Sequence, residues 1–208
     1  DRKDDAIPYL PVYYRDDWGF SIPKSILEQF QDDVYDILIE ADQPPCSLKV
    51  AQHVLPGKSA KSILLASHVD HPFQLADGLS GVAGLLAIRD RLASRKNLFT
   101  YKFLFVPETI GSLAFSTLPN ALDDVCYTIF VDGISADAAL HVQKTLYGTT
   151  VLDRTAVAFA GSWSGKETIK VTEYRQIPGN DEAVFNGPGI GIPSLLIQRW
   201  PMPNYHTH

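Results

Sequence analysis

The chain has 208 residues, 45% hydrophobic and 11% aromatic, enough to bury one sizeable core, and its length suits one domain better than two. A formal net charge of −6 without a dense Lys/Arg cluster argues against a nucleic-acid surface. No apolar run approaches the ~20 residues of a membrane helix. Asp1-Arg2-Lys3-Asp4-Asp5 lacks the apolar core of a signal peptide, and two cysteines, Cys46 and Cys126, are too few for a disulfide framework, so a cytoplasmic enzyme with reduced thiols is expected.

In chain order, residues 1–20 are rich in Pro, Tyr and Asp and read as irregular, after which Ser21 to Gln31 is expected to be a helix with Pro23 in its first turn. Val34 to Ala41 and Leu48 to Leu55 read as strands on either side of Gln43-Pro44-Pro45, antiparallel neighbours at a sheet edge. From Ser62 the pattern becomes α/β. The apolar run Ser62 to Ala66 predicts a buried strand ending at His68, and Leu79 to Ser94 spaces Val82, Leu85, Leu86, Ile88 and Leu92 as a helix. Tyr101 to Val106 (strand), Ile110 to Leu118 (helix) and Val125 to Val131 (strand) follow. The rest reads as His141 to Leu146 (strand), Thr150 to Phe159 (helix), Ile169 to Tyr174 (strand) and Ser194 to Ile197 (strand). This order predicts an α/β/α sandwich around a mixed, largely parallel sheet. One domain over 1–208 is expected, with residues 1–60 packed on it as an irregular segment, a helix and edge strands.

Chemistry gathers at the predicted carboxyl ends of the strands, where open α/β sheets bind ligands. His68 ends one strand and Asp77 lies in the following loop; Glu108 follows the next strand, Asp132 the one after, and His206 lies beyond the last. Zinc takes imidazole nitrogen and carboxylate oxygen, and a catalytic zinc keeps a position for water, so two His with two Asp would satisfy it. Glu108, not needed as a ligand, could take the proton from that water. Any one of these residues alone is more often a cap or a loop hydrogen-bonder, and Asp77 could simply cap the Leu79 helix; five at successive strand ends shift the balance. No Gly-x-Ser-x-Gly elbow supports a serine hydrolase, and Gly187-Pro188-Gly189-Ile190-Gly191 reads as a turn, with no Lys-Ser/Thr pair to make a phosphate loop.

His68-Val69-Asp70, Asp77 with Ser80-Gly81, Val106-Pro107-Glu108-Thr109-Ile110-Gly111-Ser112, Phe130-Val131-Asp132 and Tyr205-His206-Thr207 follow in order a known pattern. It resembles that of the co-catalytic zinc aminopeptidases, the clan of the bacterial leucyl aminopeptidases and glutamate carboxypeptidase. His71-Pro72, Gly179-Asn180-Asp181-Glu182 and Pro203-Asn204-Tyr205-His206-Thr207 look closer still to the bacterial aminopeptidase-like domain proteins, a branch associated with polysaccharide-biosynthesis genes.

The resemblance implies that His68 binds a zinc while Asp70 orients its ring, that Asp77 bridges two zincs and that Asp132 completes the first. The clan's Glu-Glu pair supplies a base and then a ligand, and here it reads Glu108-Thr109. One zinc is therefore expected and a second stays open; its ligands would be Asp77 and His206, with His71 as helper. Whether His68 or His71 is the imidazole ligand also stays open. The implied activity is a metallopeptidase of the aminopeptidase type, acting on a peptide. Alternatives are an amidase or deacylase on an amino-sugar or small amide, or a binding domain that has kept the fold and lost the chemistry. By their positions near the inferred site, Asp181 and Glu182 are candidates for holding a substrate ammonium and Tyr205 for donating to the oxyanion. The clan's chains continue past the position of His208, so this one reads as truncated.

Overall fold

The computed structural model describes residues 5, 7, 17–32, 34–40, 42, 44–71, 74–203 and 205–206. The chain divides into two compact units, Asp1–Ser47 with Asn204–His208, and Leu48–Pro203. No helix among the described residues is long and apolar enough to cross a membrane.

In the smaller unit the described residues form one helical turn, α1 (Lys24–Leu27), in place of the longer helix expected over 21–31. None of its residues is buried, and a short helix without a buried face has little to hold it beyond its own hydrogen bonds. The strand expected at Val34 to Ala41 is also missing: residues 34–40 are in no strand, and Val34 and Leu38 are more than four-fifths exposed. Ala41 lies outside the described residues. β-propensity without a ladder partner does not make a strand.

The larger unit is built on seven strands, β1 (Ala51–Leu55), β2 (Ser62–His68), β3 (Thr100–Val106), β4 (Val125–Val131), β5 (Ala139–Gln143), β6 (Ile169–Thr172) and β7 (Ser194–Trp200). They lie in the order β1-β3-β2-β4-β7-β5-β6. The β2–β3, β2–β4, β4–β7 and β5–β6 pairs are parallel, and β1–β3 and β5–β7 are antiparallel. The sheet is thus mixed and largely parallel, an α/β fold as expected. Leu48 to Leu55 yields the edge strand β1, with β3 as its partner in place of the segment before it.

Period-two alternation divides the central strands between two cores. Leu64, Ala66, Leu104, Val106, Phe130 and Leu196 pack on one side with Phe115 and Phe185, while Leu65, Phe103 and Val131 pack on the other with Leu85. Each fully buried Leu or Phe adds roughly 2–3 kcal/mol of transfer free energy. Helices α2 (Ser80–Ala93), α3 (Ile110–Ser116) and α5 (Glu182–Asn186) cover these faces, and α4 (Val151–Ser162) packs through Ala156 on Val142 and Leu195 in a third cluster. Helix α5 has no counterpart in the sequence reading; its five residues are too few to show a helical period.

The register matters most for function. His68 pairs with Val106, Ala66 with Phe130 and Val131 with Ile197, so the parallel strands β2, β3, β4 and β7 all end at one edge. Gly81, in the first turn of α2, lies against the Val131 carbonyl and the Ser67 hydroxyl so closely that no side chain fits, which seats this helix on the ends of β2 and β4.

Candidate metal centre

His68, the last residue of β2, is fully buried, with Phe130 of β4 stacked parallel to its ring at 6.2 Å between centroids. Its Nδ1 lies 2.8 Å from Asp70 Oδ1, and its Nε2 lies 3.1 Å from Asp77 Oδ1 and 3.4 Å from Asp132 Oδ2. Asp70 thus takes one ring nitrogen as its partner and leaves the other facing two buried carboxylates.

Asp77 comes from a turn, Leu75–Leu79, that runs into α2 and breaks at Asp77 and Gly78. Gly78 has φ +91°, and a Cβ there would approach the His68 ring at 3.2 Å, so glycine is required twice over. Its amide donates to Asp132 Oδ1 at 2.8 Å, which ties the turn to the end of β4. The cap reading of Asp77 fails: it sits in the break before the helix and no side-chain cap bond starts α2.

His71 stands on the far side of Asp77. Its Nε2 lies 3.7 Å from Asp77 Oδ2 and 3.7 Å from Glu108 Oε2, and its ring meets that of His68 edge-on. Of the two imidazoles, His68 faces Asp77 and Asp132 together, and His71 connects Asp77 to Glu108. Burial, opposed by the charge of His68 and reinforced by Asp181, Asp70 and Asp77, raises the Glu108 carboxyl above the ordinary range, in the direction that suits a proton acceptor near neutrality.

Thr109, where the resemblance places a second glutamate, has φ +59°, a strained value for a β-branched residue. Its amide donates to Asp181 Oδ1 at 2.8 Å, and the Ser112 hydroxyl donates to Asp181 Oδ2. Asp181 is fully buried, which raises its carboxyl, while those two donors and the His68 charge oppose the rise. Glu182 is fully buried too: its Oε1 accepts from Gln143 Nε2 at 3.0 Å and its Oε2 from the Asn180 amide at 2.7 Å. Burial pushes Glu182 up to about 7 despite these donors and Arg175. Their sequence positions make both acids candidates for a substrate ammonium, and in the structure every carboxylate oxygen of the two accepts a hydrogen bond from the protein.

Tyr205 and His206 belong to the smaller unit, where their rings stack at 3.8 Å. The oxyanion and ligand roles assigned to them stay expectations of the sequence.

The donor set fits zinc. His68 Nε2 is buried without a hydrogen-bond donor or acceptor in bonding geometry, yet two carboxylate oxygens face it. Burial alone would lower this imidazole, but the neighbouring Asp132 and Asp77 carboxylates outweigh it and carry the group from 6.5 up to about 11. A buried imidazole nitrogen that faces two buried carboxylates is a donor set that a zinc ion takes. His68, His71 and Asp77 bring ligand atoms within 4.8 Å of one another, as do Asp70, His71 and Glu108.

The profile of the family described as Domain of unknown function (DUF4910) matches residues 16–208. The chain belongs to this family. It is 31% identical over 206 residues to a Clostridium acetobutylicum protein provisionally named for polysaccharide biosynthesis with an aminopeptidase-like domain, a match covering 98% of this chain and 47% of that protein. A crystal structure of a C. acetobutylicum protein provisionally designated a peptidase superposes with TM-score 0.86 at 28% identity, over 98% of this chain and 48% of that one. The DUF4910 chain therefore spans about half the length of these two relatives. A zinc aminopeptidase from Bacillus subtilis shares the fold at 19% identity and TM-score 0.58, over 71% of this chain and 39% of its own. Glutaminyl cyclases share it as well. The fold is that of the aminopeptidase-like proteins.

Proposed function

We propose that this DUF4910 protein is a zinc-dependent hydrolase of the aminopeptidase type that removes the amino-terminal residue of a peptide. The observation that carries the reading is the buried His68 Nε2 set between Asp77 and Asp132, with Glu108 across His71 from them. His68, Asp77 and Asp132 would hold one zinc, which would supply a Lewis acid for the scissile carbonyl. Asp70 keeps the His68 proton on Nδ1 and so leaves Nε2 as the ligand atom. Glu108, raised by burial and more than a third exposed as a side chain, takes the proton of the attacking water and delivers it to the leaving amine. Thr109 offers only a neutral hydroxyl where the resemblance expects a second ligand, so one zinc per chain is the expected stoichiometry. The full burial of Asp181 and Glu182 and their engagement with protein donors weigh against their holding the substrate ammonium.

The polysaccharide-biosynthesis name of the clostridial relative supports a second substrate class for the same chemistry, the N-acyl amino sugars. A panel of aminoacyl amides and N-acyl amino sugars, offered to the zinc-loaded protein, separates the two. Glu108→Gln should lower turnover of the accepted substrate by ~10²-fold or more while zinc affinity stays within a few fold of the parent. Undiminished turnover in this variant would remove Glu108 from the chemistry. No turnover of any amide by the zinc-loaded parent would leave a binding domain as the reading.

A further inference from the structure

The two buried carboxylates that face His68 Nε2 are not held alike. Asp132 Oδ1 accepts two backbone amides, from Gly78 at 2.8 Å and from Gly133 at 2.6 Å. Asp132 Oδ2, the oxygen turned to His68, has one donor among the described residues, Asn180 Nδ2 at 3.1 Å. The orientation of that amide is decided by its own surroundings. Asn180 Oδ1 accepts from the Asp181 backbone N–H at 2.9 Å, so Oδ1 and Nδ2 cannot be exchanged without setting donor against donor. The Asn180 backbone is anchored in turn, its N–H donating at 2.7 Å to Glu182, whose other oxygen is tied to Gln143 at the end of β5.

Resting on the zinc reading above, we infer that Asn180 is a positioning residue of the metal centre: it sets the rotation of the Asp132 carboxylate and so aims Oδ2 at the ion that His68 and Asp77 share. It does for Asp132 what Asp70 does for His68, one polar partner behind each ligand, and a polar partner of this kind fixes ligand orientation and basicity. Asn180 lies 48 residues from Asp132 in sequence and on no strand, so the short segment before α5 reaches across the strand ends to complete the site. Its neighbour Asp181 holds Thr109 and Ser112 beside Glu108, which makes the same segment the common anchor of ligand and base.

The test is zinc affinity by chelator competition on the parent, Asn180→Ala and Asn180→Ser, the serine being too short to reach Asp132 and standing in should the alanine variant not fold. Each variant should bind zinc about 10–100-fold more weakly, and its cobalt-substituted form should show a shifted d–d absorption band. The melting temperature of the metal-free protein should move little. Parent-like affinity and an unshifted cobalt band in a folded variant, with zinc bound by the parent, would overturn the role of Asn180 and leave the zinc reading intact. A parent that binds no zinc would overturn both.

Discussion

Glu182 shows what a single buried acid does to this molecule. With its carboxyl raised from 4.5 to about 7 in the folded protein, the native state keeps a proton that the unfolded chain has released above pH 4.5. Stability is therefore expected to fall as pH rises from 4.5 through 7, by up to about 3 kcal/mol from this residue. Glu182→Gln should flatten that part of the profile, as measured by urea unfolding at pH 5 and pH 8; an unchanged slope would mean the carboxyl titrates normally. In sequence, Asp181 and Glu182 read as candidates for holding a substrate ammonium, since the pair carries no mark of burial. Their partners, Thr109 and Gln143, lie 72 and 39 residues away. The acid that the sequence did reveal, Glu108, is legible because it lies two residues past the end of an apolar strand.

Among the elements, α4 has the most explicit local signal. Thr150 and Asp153 form a reciprocal capping box, and the Asp153 carboxylate also accepts from the amide and hydroxyl of Thr145, which binds the helix start to the loop after β5. Burial would raise this carboxyl, but the Thr150 and Thr145 donors outweigh it and leave it below the ordinary value. Its contribution is thus present above the unfolded value near 3.8 and is lost as pH falls through the lower folded value. Asp153→Asn should cost about 2 kcal/mol at pH 7 and progressively less under acid conditions, read by chemical unfolding. The sequence predicts the helix over Thr150 to Phe159 and it runs Val151–Ser162, because a cap is written in adjacent residues whereas the last turn is settled by packing. Helix α1 shows the converse. Pro23 marks a helix start correctly, but with no buried face the helix stops after a turn.

For the whole molecule, the zinc reading predicts a coupling between metal and stability. If His68, Asp77 and Asp132 hold zinc only when folded, adding zinc to 100 times its dissociation constant should stabilise the protein by about 2.7 kcal/mol, a rise of roughly 5–10 °C in melting temperature. Calorimetry with zinc and after chelation checks this, and equal melting temperatures would count against a folded-state site.

The sequence by itself determined the succession of central strands and helices and the placing of His68, Glu108 and Asp132 at strand ends, because apolar runs and their polar stops are properties of adjacent residues. It also carried the order of motifs by which the aminopeptidase-like fold is legible. Only the tertiary structure decided which imidazole faces Asp77 and Asp132, since His68 and His71 differ by three positions in the chain but by full burial against partial exposure in the fold. It alone decided that β1 pairs with β3, that residues 34–40 form no strand, and that Asn180, Asp181 and Glu182 are hydrogen-bonded to Asp132, Thr109 and Gln143. The physical reason is common to all of these: hydrogen bonds and burial that join residues distant along the chain leave no periodicity in the sequence, and they become visible only when the sheet has brought its carboxyl ends to one edge.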